Sequence, residues 1–122
     1  MNLIKTSYNP DILNCIADLS NDEIFTSPKL ANSILDNLPK KLWKDPNAKF
    51  LDPCSKTGIF LREIAKRLNE GLKKHIRNPQ KRSNHIFSNQ LYGISLTELT
   101  SLMSRRTLYY SKYSKGKNSI CK

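Results

Sequence analysis

Lys49-Phe50-Leu51-Asp52-Pro53-Cys54-Ser55-Lys56-Thr57-Gly58-Ile59-Phe60-Leu61 is the stretch that decides the fold. It reads as a short buried strand, a tight loop carrying Asp52 and Gly58, and the opening of an amphipathic helix. In α/β folds a ligand sits beyond the carboxyl end of such a strand, against the helix N-terminus. An ordinary strand-to-helix turn containing a glycine has the same outline, and the glycine pattern here is incomplete.

Downstream, Ile59, Phe60, Ile64, Leu68 and Leu72 keep a helical period, which predicts a helix fading near Arg77-Asn78-Pro79. Gln80-Lys81-Arg82-Ser83-Asn84 reads as a basic polar segment and His85-Ile86-Phe87 as one further helical turn. A second strand is predicted over Gln90-Leu91-Tyr92-Gly93-Ile94-Ser95-Leu96. A helix follows from Thr97, a plausible cap, with a stripe through Leu99, Leu102 and Met103. The tail from Tyr109 to Lys117 mixes aromatics with cations, a composition that suits base stacking or phosphate contact and equally suits a connecting loop.

Upstream, residues 9–19 predict a helix capped by Asn9, with Pro10 at its first position and an apolar stripe of Ile12, Cys15, Ile16 and Leu19. Leu30, Ile34, Leu35 and Leu38 trace a second helix, capped by Thr26 or Ser27, opened by Pro28 and stopped by Pro39. Trp43 is expected to pack on this helix pair. Strand, loop, helix, strand, helix is the opening of a doubly wound α/β sheet. Two strands do not complete a parallel sheet, which predicts completion by residues outside this chain or by a partner.

A length of 122 residues allows one small domain, and 38% hydrophobic with 25% charged residues suits a globular protein. No apolar run reaches the roughly 18 residues of a membrane span. The first residues lack the apolar block of a secretory signal. Cys15, Cys54 and Cys121 are too few and too scattered for a disulfide framework or a zinc site, and suit free thiols in a reducing cytoplasm. His75 and His85 have no Cys partner at ligand spacing, so no metal is expected. The net charge of +11 is one-sided: residues 1–61 balance seven Lys/Arg with seven Asp/Glu, while residues 62–122 hold fourteen Lys/Arg and three Asp/Glu. That asymmetry suits a polyanion partner, nucleic acid first. Solvated basic helix faces would give the same count.

Three ordered segments resemble a known family. Phe25-Thr26-Ser27-Pro28, Asp52-Pro53-Cys54-Ser55-Lys56-Thr57-Gly58-Ile59-Phe60-Leu61 and Leu91-Tyr92-Gly93-Ile94-Ser95-Leu96 resemble the cofactor segments of adenine-specific DNA methyltransferases of bacterial restriction–modification systems. In that family they usually read Phe-Thr-Pro-Pro, Asp-Pro-Ala-Cys-Gly-Ser-Gly-x-Phe-Leu and Tyr-Gly-Ile-Asp-Ile. Lys56-Thr57-Gly58, Thr97-Glu98-Leu99-Thr100 and Ser104-Arg105-Arg106 resemble one subgroup. The likeness runs from about Tyr8 to Lys112.

It implies an incomplete Rossmann-like methyltransferase fold: a helical segment over 1–48 with the first motif, then the first two β-α units over 49–122. It implies S-adenosylmethionine as cofactor, held around Phe25, Thr26, Asp52, Pro53, Cys54, Lys56, Gly58, Ser95 and Leu96. Thr26 would meet the methionine end, Asp52 its amino group, and the Ser95 position the ribose. DNA is the implied partner, contacted through Arg105, Arg106 and Lys112. The other partner is the C-terminal methyltransferase portion, in cis or as a separate chain.

Two positions depart from the pattern. Lys56 stands where the family usually has Gly, and its ammonium could face the cofactor carboxylate. Ser95 stands at the acidic position, where a hydroxyl gives one hydrogen bond in place of a charged bidentate grip; Glu98 lies close by. No Asn/Asp-Pro-Pro-Tyr/Phe segment is present, since the prolines at 10, 28, 39, 46, 53 and 79 are never adjacent. Such a segment holds the target amine and stacks on the flipped base. The 122 residues alone are therefore expected not to methylate DNA, and no catalytic residue is assigned. A small basic nucleic-acid-binding module without cofactor is the competing reading. A methyltransferase acting on RNA or protein would share the same loop.

Overall fold

A computed structural model describes residues 26–110, 117 and 119–121. The helix predicted over 9–19 and Phe25 lie outside them, as does Lys112. In chain order the elements are α1 (Pro28–Leu35), a 3-10 helix (Lys40–Lys44), β1 (Phe50–Asp52), α2 (Ile59–Gly71), α3 (Pro79–Asn89), β2 (Leu91–Gly93) and α4 (Glu98–Tyr109). The strands pair in parallel, with Phe50 opposite Leu91, Leu51 opposite Tyr92 and Asp52 opposite Gly93. The arrangement is α/β, compatible with part of a Rossmann-like fold. No helix among the described residues is long and apolar enough to cross a membrane.

Local signals explain most starts and stops. Ser27 caps α1 through Leu30 N–H at 3.2 Å, with Pro28 in the first turn. The helix ends at Leu35, short of the predicted Leu38. It buries Ala31 and Leu35 and leaves Leu30, Ile34 and Leu38 exposed, so the expected stripe is only partly the inward face. α2 is the central element, touching α1, both strands, the 3-10 helix, α3 and α4. Leu61, Ile64, Leu68 and Leu72 recur at helical spacing and are buried; Ile64, Leu68 and Leu72 join Leu35, Phe50 and Ile86 in one core. Full burial of a leucine side chain contributes about 1.5–3 kcal/mol.

Two expectations are corrected. Residues 79–89 form a full helix in place of a polar segment and a single turn. Asn78 caps it through Lys81 N–H at 2.9 Å, and Pro79, read as a stop, is its first residue. The period was hidden because the inward position is Arg82, 5% exposed, whose guanidinium donates to Asn69 Oδ1 at 2.7 Å and to the Ile76 carbonyl at 2.9 Å. The second strand is three residues long, Leu91–Gly93, and beyond it the Ile94 amide and carbonyl bond to Asp52 and to Ser55 of the turn. Trp43 packs against the core that Leu35 of α1 joins, as well as on the strand and α2; the other helix of the expected pair lies outside the described residues. The Trp43 ring stacks on Phe50 at 5.4 Å, the Arg67 guanidinium lies over it at 5.3 Å, and the Trp43 backbone abuts Gly71.

At Gly71 a Cβ would fall 1.8 Å from the Trp43 carbonyl oxygen. Backbone cannot yield as a flexible side chain does, so Gly71→Ala is expected to cost at least about 1–3 kcal/mol, the usual range for overpacking. Thermal unfolding followed by circular dichroism measures it.

Glu63 is buried at 6% exposure on α2. Burial alone would raise its carboxyl, but hydrogen bonds from Arg62, Asn32 and Lys66, and the charge of Lys66, together hold it below its ordinary range. A carboxyl lowered in the folded state adds stability above its unfolded value, about 4.3, and loses it as pH falls through the folded value. The melting-temperature gap between the native chain and Glu63→Gln should therefore hold steady from pH 7 to 5 and shrink below pH 4.

Candidate functional site

The site is the turn between β1 and α2. Asp52 ends β1, and its Oδ1 accepts Cys54 N–H at 3.0 Å, a local turn that bends the chain off the strand. The Lys56 amide donates to the Cys54 carbonyl at 2.9 Å. Gly58 sits at φ +80, a left-handed conformation that disfavours any side chain, and opens α2 without a side-chain cap. The first amides of α2, and the positive end of its dipole, therefore lie at the turn without helical partners.

Ser55 locks the turn from beneath and is 2% exposed. Its amide donates to the Ile94 carbonyl at 2.9 Å, and its carbonyl accepts the Ser95 hydroxyl at 2.7 Å. Its hydroxyl shares a hydrogen bond with that of Ser104 at 3.1 Å. Ser104 belongs to α4, which Thr97 caps through Thr100 N–H at 3.2 Å. α4 turns Thr100, Ser104 and Leu108 inward in place of the predicted stripe through Leu99, which is 37% exposed. The small Ser104 side chain lets the helix close onto the turn: a Cβ on Gly58 would lie 2.8 Å from Ser104 Oγ and 3.1 Å from its Cα. Gly58 thus admits α4 as well as turning the chain.

Above the turn lies a cavity of about 180 Å³ lined by Thr26, Asp52, Cys54, Lys56, Thr57, Gly58, Ile59 and Phe60. Pockets that enclose small-molecule ligands run to roughly 300–1,000 Å³, so the space bordered here is smaller than such a pocket. A carboxylate from Asp52 and an ammonium from Lys56 both border the space, a pairing suited to a zwitterionic ligand. Of the residues singled out in the sequence, Thr26, Asp52, Cys54, Lys56 and Gly58 come together here. Pro53 lines a neighbouring apolar groove of about 440 Å³ between α1 and the open edge of β1, which Asp52 and Phe60 also border. Ser95 and Leu96 do not line the cavity: the Ser95 hydroxyl is turned to the Ser55 carbonyl, and Leu96 is 89% exposed. Arg105 and Arg106 are exposed on α4 beside Ser104. Thr57, Ile59 and Phe60 were not singled out, although they are contiguous with the motif. Ser104 gave one sequence signal, the i, i+4, i+8 spacing of Thr100, Ser104 and Leu108.

Over 113 residues, 89% of its length, the chain is 45% identical to a Mycoplasma pneumoniae protein named as an uncharacterized adenine-specific methylase. The chain spans 27% of that protein's length. No family model matches the chain, and no solved structure matches it. The relationship rests on sequence, and it covers the turn and cavity just described.

Gly58→Ala would meet both the positive φ and the α4 backbone. The expected cost is about 1–3 kcal/mol, read as a lowered melting temperature. An unchanged melting temperature would show that α4 is not seated on the turn.

Proposed function

We propose that this chain forms the S-adenosylmethionine-binding side of an adenine-specific DNA methyltransferase. One observation carries the reading: Thr26, from a segment 26 residues upstream in sequence, borders the same cavity as Asp52, Lys56 and Gly58. The donor set fits the cofactor's methionine end. Asp52 would hold the ammonium, directly or through water. Lys56 and the uncapped first amides of α2 would meet the carboxylate, and Thr26 would add a hydroxyl. Ser95 spends its hydroxyl proton on Ser55, which leaves its oxygen free to accept from a ribose hydroxyl. Bound S-adenosylmethionine supplies an electrophilic methyl group; the residues here bind and orient it.

Holding the target adenine is a separate task. It requires a polar side chain and an aromatic ring around the flipped base, and the 122 residues contain no Asn/Asp-Pro-Pro-Tyr/Phe segment. In this reading the rest of the methyltransferase, in cis or as a separate chain, provides it, and the 122-residue chain alone transfers no methyl group to DNA. The excess of positive charge in residues 62–122 favours a second reading, a basic nucleic-acid-binding module that takes no cofactor.

Titration calorimetry separates the two. The native chain is expected to bind S-adenosylmethionine, Asp52→Ala to lose at least about tenfold in affinity, as expected for a lost charged hydrogen bond of about 1.5–3 kcal/mol, and Asp45→Ala to match the native chain. Absence of binding by the native chain, with DNA binding retained, would favour the cofactor-free module.

A further inference from the structure

The cavity lies at the N-terminal end of α2. The opposite end, about 20 Å away at 1.5 Å per residue over thirteen residues, has a different chemistry. Gly71 there receives the backbone of Trp43 and Lys44, so the 3-10 helix is seated on the last turn of α2. That seating brings Lys40, Lys41 and Lys44 to the end of α2 from which the connection to α3 carries Lys74, Arg77 and Lys81 outward. All six are exposed, and none forms a salt bridge among the described residues. The acids nearby are largely committed: Glu70 pairs with Lys73, Asp36 with Arg67 at 2.7 Å, and Asp45 accepts the Asn47 amide at 2.8 Å.

We propose that this cationic end of α2 is a contact surface for the phosphate backbone of nucleic acid, remote from the cofactor cavity. One or two cations would serve to complement the negative end of the α2 dipole; six exposed and unpaired ones exceed that need. The surface suits phosphates more than bases, because Trp43, the aromatic residue closest to it, is already occupied by Phe50 and Arg67. It suits nucleic acid more than a lipid surface, because Leu38, at 37%, is the one exposed large hydrophobic side chain in the segments 38–44 and 71–81 that carry the cations, and interfacial membrane binding needs a broad apolar face beside them. Binding here is therefore sequence-independent and steeply salt-dependent. The proposal does not rest on the cofactor reading.

The test measures binding of the 122-residue chain to a random-sequence DNA duplex across a salt series. Lys44→Gln, Lys74→Gln and Arg77→Gln combined should weaken binding at 100 mM salt at least about tenfold. It should also flatten the plot of log affinity against log salt by about 2–3, near 0.9 for each phosphate that is no longer neutralised. The charge-preserving set Lys44→Arg, Lys74→Arg and Arg77→Lys should retain affinity and slope, which excludes misfolding as the cause. Asp52→Ala should leave DNA binding unchanged, so that failure of the cofactor reading is distinguishable. The proposal is overturned if the native chain does not bind DNA, or if the neutralised chain keeps the native slope. It is equally overturned if neutralisation abolishes binding to anionic phosphatidylserine vesicles while DNA binding persists.

Discussion

Two parallel strands of three residues cannot hold their register through their own ladder, so both ends of the pair must be fixed from outside. At the start, the Phe50 amide donates to the Gln90 carbonyl at 2.7 Å. The Gln90 side chain, fully buried, gathers the incoming turn by donating to the carbonyls of Asp45 and Ala48. At the finish, the Ile94 amide donates to the Asp52 carbonyl and the Ser55 amide to the Ile94 carbonyl, both at 2.9 Å. Ser95 and Ser104 then close on Ser55. The cavity residues between Asp52 and Phe60 inherit their positions from this second lock, because they are strung along the chain it holds.

α2 turns that lock into a body. Its apolar face builds the core, and its two ends are treated oppositely. The N-terminal end starts from a left-handed glycine, carries no side-chain cap and opens onto the cavity. The C-terminal end is sealed by the Trp43 backbone, with an aromatic stack and a guanidinium above the ring. A helix whose one end is closed by packing and whose other end is left chemically open gives the site a rigid support.

How much of this was legible depended on distance along the chain. β1, α2 and the caps at Ser27 and Thr97 were readable because their determinants are local. The same holds for Asp52, Cys54, Lys56 and Gly58, which one short turn brings together. α3 was hidden because a buried arginine, held by an Asn side chain and two carbonyls, stands where periodicity expects an apolar residue. α4 was found but its inward face was misjudged, because the buried positions Thr100 and Ser104 are small and polar, and Ser104 lies where a Cβ on Gly58 would touch it. The place of Thr26 beside Asp52 and the bond between Ser55 and Ser104 are tertiary facts that no spacing encodes.

The two departures from the family pattern become physically intelligible on this backbone. Among the described residues Tyr110 is the one non-glycine at positive φ, so Lys56 occupies a conformation open to any side chain. The left-handed demand of the turn falls on Gly58 alone. A side chain at 56 therefore brings no backbone strain and adds a positive charge at the cavity. Ser95 is a different exchange. An ionised carboxylate only accepts hydrogen bonds and would meet the Ser55 carbonyl with no proton to give, whereas a hydroxyl donates to it and closes the turn. What the position lacks in charge it returns as a tie between the end of β2 and the loop that carries Asp52, Lys56 and Gly58.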